Sequence, residues 1–240
     1  MKELTQKRKS ISYVLKSIVI LSAIIGTVLS AHSGRDGFMG GSRVFMFFTT
    51  QSNIAIALIC LAGCILTMRK KQIHDAFYVI KFVGTVSITL TGVVFVVLLA
   101  PTLGPRAWSI QNILTHVVVP VLSVVDFFVV SAGVGMKKRN VFFVIIPPIL
   151  YAIYAGIGYV RGWEFAEGYN YPYFFLNWGS SAGAFGFSNE LPYMGSAWWI
   201  LALFIFLMLV GYVYLAISDR IAHNEVSMDV MPTALESSHR

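Results

Sequence analysis

Charge is what this chain has least of. Only 12% of its 240 residues are Asp, Glu, Lys or Arg, about half of what a soluble domain carries, which excludes an ordinary water-exposed globular fold. Cysteine is also scarce: Cys60 and Cys64 are the two, one helical turn apart in an apolar run. Side chains at that spacing leave one face rigidly, so they cannot form a regular disulfide within the helix. They read as small packing residues. H-E-x-x-H and P-loop patterns are missing, which removes the usual zinc-protease helix and the nucleotide-phosphate cradle. A single intramembrane histidine with one distant aspartate makes a poor metal site, so no metal or other cofactor is expected. No cluster of basic and aromatic residues marks a nucleic-acid surface, and no internal repeat is visible.

Hydrophobicity fills the space that charge leaves. Hydrophobic residues make up 57% of the chain and the mean hydropathy is +0.73. Apolar stretches near or above 18 residues recur, the mark of membrane-crossing helices. The expected fold is all-α: a polytopic membrane protein with six transmembrane helices at about 12–31, 44–66, 77–100, 109–133, 141–159 and 195–217. The first run follows Lys2, Lys7, Arg8 and Lys9 and is long for a signal peptide, so it reads as a retained helix. One membrane domain, 1–221, is expected, followed by a polar tail, 222–240, expected to be disordered.

The basic residues orient the bundle. Twelve of the 18 Lys and Arg lie in the N-terminus, the loops at 68–75 and 135–140, and the tail. Arg35, Arg43, Arg106 and Arg161 lie in the alternate connections. By the positive-inside bias both termini are expected in the cytoplasm, which accounts for the net charge of +7 without nucleic acid. The expected setting is an integral protein of the bacterial cytoplasmic membrane.

Polar residues inside apolar spans are costly and mark function. His116 is the sharpest case, in SIQNILTHVVVPVLSVVDFFVVSAGV. Asn112 shares its face, and Pro120 removes the backbone bond to the His116 carbonyl. The second span carries Thr49, Thr50, Gln51, Ser52 and Asn53. Counted from the outer ends at roughly 1.5 Å per residue, Thr49 and His116 both lie about 8–10 Å inside. Asp126 lies about 15 Å deeper than His116, too far to orient the imidazole, and reads as structural. Besides Asp126, His116 has almost no ionisable company, which argues against a proton or ion pathway. A hydroxyl beside an imidazole makes a nucleophile–base pair, with Asn112, Asn53 or Gln51 as oxyanion donors and Thr50 as an alternative nucleophile. Equally, a buried histidine can simply bond a neighbouring helix. The outer segment RGWEFAEGYNYPYFFLNWGSSAGAFGFSNELPYM is too apolar to sit free in water. It reads as an interfacial aromatic belt, as a cap or short re-entrant segment over an outward cavity, or as both, since the two are compatible.

FFTTQSN, the Asn112–Pro120 run N-x-x-x-H-x-x-x-P, and YPYFFLN together resemble the androgen-induced-gene-one and androgen-dependent tissue-factor-pathway-inhibitor-regulating family, as a bacterial six-span relative. The resemblance implies an intramembrane threonine hydrolase of fatty acid esters of hydroxy fatty acids or related acyl lipids. It places the nucleophile on Thr49, the essential histidine on His116 and the preceding asparagine on Asn112. It also places the aromatic-proline patch on Tyr171, Pro172, Phe175 and Leu176. The expected partners are membrane lipids or an amphiphilic acyl substrate. Arg106, Arg161, Tyr171, Tyr173 and Trp178 are the candidate substrate contacts. The alternatives from other classes are a small-molecule or lipid transporter and a non-enzymatic membrane scaffold or sensor.

Overall fold

The structure, a computed structural model, describes residues 5–33, 41–69, 73–131 and 136–236, with side chains followed as far as 224. Most of the Gly-rich connection expected at 31–43, parts of both basic loops and the last four residues lie outside the described residues. Among the described residues six helices are long and apolar enough to cross a membrane: α1 (Gln6–Ser33), α2 (Phe48–Met68), α3 (Asp75–Trp108), α4 (Ile110–Val130), α5 (Lys138–Val160) and α6 (Ser196–Asn224). No strand forms among them; two isolated bridges lie in the α5–α6 connection.

The bundle is inverted relative to a soluble protein. On α1, Val14, Leu21, Ile25 and Val28 are exposed, while Ser12, Lys16, Ser22 and Thr27 are buried. Lipid tails are as apolar as these outer side chains, so inward small and polar residues supply close packing and hydrogen bonds between helices. Thr85, Thr89 and Thr67 donate back to the carbonyls four residues earlier, the usual way a membrane helix satisfies a hydroxyl. Successive helices run antiparallel: Gly63 of α2 meets the Lys16 stem, and Gly92 of α3 meets Pro120 of α4. α3 is the central helix. Its Phe82 and Val86 share a core with Phe127 of α4, Val141 and Val144 of α5 and Leu207 of α6. Its Ile88 joins a second core with Val19 of α1, Ile56 of α2 and Val119 of α4.

Several boundaries differ from those expected. α2 does not begin at 44. Gly41–Met46 is a 3-10 turn, Phe47 is extended (φ −88°, ψ 141°), and the α-helix starts at Phe48. Hydropathy runs unbroken through Val44, Phe45 and Met46, so it carries no trace of this break. The connection expected at 101–107 is instead helical, as Ala100–Leu103 and a 3-10 turn at Gly104–Trp108. The last helix continues to Glu236, so the disordered tail expected from 222 is helical as far as 236. Once nucleated, a helix propagates at little cost through polar residues.

The α5–α6 connection folds back on the bundle. Its Phe165, Tyr173, Phe175 and Leu176 are buried with Phe47, Tyr151 and Ala155. Trp198 and Trp199 at the start of α6 donate their indole N–H groups to the carbonyls of Phe185 and Pro192. An exposed ion pair joins Arg43 to Glu164. The first part of the segment is therefore packed as a cap, while Phe185 and Phe187 further on stay exposed.

Candidate active site

The start of α2 sits beneath this cap. The first N–H groups of an α-helix have no partner within the helix. With Phe47 as the N-cap residue, which makes no side-chain cap bond, Phe48, Thr49 and Thr50 carry these free donors. Tyr173 of the cap answers two: its phenolic oxygen accepts from the Thr49 N–H at 3.3 Å and from the Phe48 N–H. The Thr49 hydroxyl lies 3.4 Å from the same oxygen. Burial pushes the Tyr173 phenol up from its ordinary value, so it stays a neutral hydroxyl. Tyr151 of α5 packs edge-on to Phe48 and donates to the Met46 carbonyl at 3.1 Å, fixing the turn that leads into the helix.

His116 lies in a π turn, Leu114–Val118, that ends two residues before Pro120. A second π turn, Phe95–Leu99 in α3, brings Phe95 over the imidazole, stacked with ring centroids 3.9 Å apart. Single π turns within α-helices recur at functional sites. Here proline cannot donate to the His116 carbonyl, and the wider turn absorbs the mismatch. The Nδ1 atom lies 3.1 Å from the Asn112 carbonyl and 3.0 Å from the Thr115 hydroxyl. A carbonyl can only accept, so Nδ1 carries the proton and Nε2 holds the lone pair. Among the described residues Nε2 has no hydrogen-bond partner.

A cavity of about 290 Å³ joins these elements; its walls include Thr49, Thr50, Arg106, Asn112, His116 and Tyr173. Thr49 also lines a smaller, almost wholly apolar cavity of about 60 Å³ with Tyr151, Leu176 and Leu203. The threonine thus lines both the chamber that holds His116 and a second, apolar one. Thr49 and His116 share the first chamber without a hydrogen bond between them; the threonine hydroxyl faces Tyr173 instead.

The remaining candidates separate clearly. Asn53 is fully buried and donates from one nitrogen to the carbonyls of Thr49, at 2.8 Å, and Thr115, at 3.1 Å. Both N–H groups are committed, so it ties α2 to α4 rather than facing a substrate. Gln51 donates to the Phe45 carbonyl and lines a different groove, with Ile80 and Phe143. Asn112 donates one N–H to the Ala107 carbonyl and keeps a second. Thr50 lines the chamber with no hydroxyl partner among the described residues. Arg106 and Tyr173 also face it. Arg161, Tyr171 and Trp178 do not line it; Trp178 packs on Tyr159 and Tyr171 on Tyr169.

Three features escaped the sequence reading. Tyr151 and the free N–H groups at the start of α2 were hidden by the unbroken hydropathy. A G-x-S-x-G string, Gly179–Gly183, lies in turns of the cap rather than between a strand and a helix. Its Ser181 bonds Ser188, so it is no nucleophile elbow. Finally, Asp126 does not stand nearly alone. Lys16 of α1 and Lys81 of α3, both inside spans, pair with it. Averaging hydropathy over a span conceals a single lysine.

The class that fold and composition define is a six-helix integral membrane protein. Comparison of the chain with protein-family models, with curated proteins and with solved structures finds no match.

Proposed function

We propose that this protein is an intramembrane carboxylic ester hydrolase acting on acyl lipids, a bacterial six-span relative of the androgen-induced-gene-one family, with both termini cytoplasmic and its site in the outer half of the membrane. The observation that carries this reading is that Thr49 and His116, from different helices, line one chamber, with Nε2 the open imidazole nitrogen. In the reaction the Thr49 hydroxyl turns from Tyr173 and attacks the acyl carbonyl while Nε2 takes its proton. The developing oxyanion is met by the unused Thr50 N–H at the start of α2, where the helix dipole is positive, and by the second N–H of Asn112. The imidazolium then protonates the departing alcohol. Water enters, Nε2 removes its proton, and the acyl-threonine ester is hydrolysed to a carboxylic acid and free Thr49. Arg106 stands where a substrate carboxylate would be held.

A fluorophosphonate probe, which reacts with activated hydroxyls, tests this on the purified protein alongside turnover of a fluorogenic fatty-acyl ester. Wild type is expected to label and to turn over. Thr49→Ala loses both, Thr50→Ala keeps both, and His116→Ala lowers both by about 10²–10⁴-fold, the usual range for a general base. Full labelling of Thr49→Ala would remove Thr49 as the nucleophile. The absence of both labelling and turnover in wild type would sink the hydrolase reading.

A further inference from the structure

Two lysines and one aspartate are buried together near the opposite end of the bundle from His116. The side chains of Lys16, Lys81 and Asp126 are 5%, 1% and 0% exposed. Lys16 donates to one carboxylate oxygen at 3.0 Å and to the Ser12 hydroxyl, which passes its own proton toward the same oxygen at 2.5 Å. Lys81 donates to the other oxygen. Among the described residues Asp126 is the one carboxylate paired with them, so with both lysines protonated the cluster carries one positive charge more than it neutralises. An ammonium has three donors. One on Lys16 and two on Lys81 have no partner among the described residues.

Both lysines line a small cavity of about 20 Å³, whose wall also includes Ser12, Tyr78, Ile73 and Phe77, with Lys9 toward the terminus. A cavity holds a water molecule from about 10–15 Å³ upward, so the occupant is little larger than water. Water fits, but it does not offset a buried charge, and charges are kept inside proteins by pairing. Gly63 makes the room: a Cβ there would stand 2.9 Å from the Lys16 side chain.

We propose that this cavity is a binding site for a small monovalent anion of the halide class, held between Lys16 and Lys81. The anion accepts the unused ammonium donors and completes a neutral cluster of two cations and two anions that locks α1, α3 and α4 together. The site is independent of the hydrolase reading.

Radiochloride binding to the purified full-length protein tests it, together with thermal unfolding in chloride against gluconate at constant ionic strength. Wild type is expected to bind chloride saturably, one per chain, and to melt higher in chloride than in gluconate, with bromide substituting. Lys16→Met leaves a neutral Lys81–Asp126 pair, so chloride binding should fall at least tenfold. Asp126→Asn removes the competing anion and should bind chloride more tightly. Thr49→Ala should bind as wild type does. Absence of saturable chloride binding in wild type overturns the proposal whatever the variants do. Binding unchanged in Lys16→Met overturns it as well, and so does weaker binding in a folded Asp126→Asn protein.

Discussion

Gly92 shows how tightly single residues constrain the site. A Cβ on it would stand 2.9 Å from the His116 carbonyl oxygen and 3.1 Å from a Pro120 ring carbon. The carbonyl belongs to the π turn and cannot rotate away as a flexible side chain would. Gly92→Ala is therefore expected to destabilise the protein by about 1–3 kcal/mol, the usual penalty of overpacking, and to lower ester turnover by displacing the imidazole. Thermal unfolding and turnover on the same preparation check both. Tyr173 gives a second residue-scale expectation. Tyr173→Phe keeps the ring against Phe47 and Phe175 but removes the oxygen that occupies the Thr49 N–H. Stability should fall by about 0.5–1.5 kcal/mol for the lost bond. Fluorophosphonate labelling should persist, because the hydroxyl that attacks and the base that activates it both remain. Loss of labelling would instead make the Tyr173 hydroxyl part of the reaction.

Among the elements, the join between α2 and α4 matters most, because each carries one member of the proposed pair. Asn53 makes this join by bonding the backbone beside each: the carbonyl of Thr49 itself and that of Thr115, next to His116. Asn53→Leu removes a donor from the Thr115 carbonyl, while the Thr49 carbonyl keeps the Ser52 hydroxyl, so the loss is about 1–3 kcal/mol of stability. It also frees the helices to slide. A misplacement of 1 Å can cost about 10²-fold in rate, so turnover should fall further than the loss of stability alone would produce. The comparison is made at a temperature where the variant is fully folded. Helix existence was legible because six apolar runs separated by polar connections leave little choice. Asn53 was legible as an interhelical bond, since an amide inside a span needs partners, but not as the residue that aligns the site. That role depends on α2 starting at Phe48, and nothing apolar marks the difference between Val44 in a 3-10 turn and Ile54 in a helix. The π turn at Leu114–Val118 was half visible: Pro120 announced a disturbed backbone without saying which way the turn would widen. The lysines were legible in principle, since Lys16 and Lys81 are what remains once the other basic residues are assigned to the two membrane faces.

At the scale of the whole molecule, the ends of the bundle carry different chemistry. The starts of α1, α3 and α5 and the ends of α2 and α4 share one end, with Lys9, Arg69, Lys138 and Arg139 around it. The cap, Arg43, Arg106, Thr49 and His116 share the other. Excess Lys and Arg mark the cytoplasmic side because short basic loops are retained there during insertion. The expectation is that the capped end faces outward. An alkaline phosphatase fused within the cap, which is active only outside the cytoplasm, should be active, and a green fluorescent protein fused after Arg240 should fluoresce. The reverse pair of results would invert the molecule. Inversion would leave the residues of the chamber unchanged but alter what can reach it, since Arg106 and the cap would then meet cytoplasmic acyl carriers and inner-leaflet lipids rather than outer-leaflet ones. It would also turn the Lys16–Asp126–Lys81 cluster toward the outer face, where the first basic turn of α1 would have to cross the membrane during insertion. That crossing is what the positive-inside bias opposes, and it is why the fusions are expected to place the cap outside.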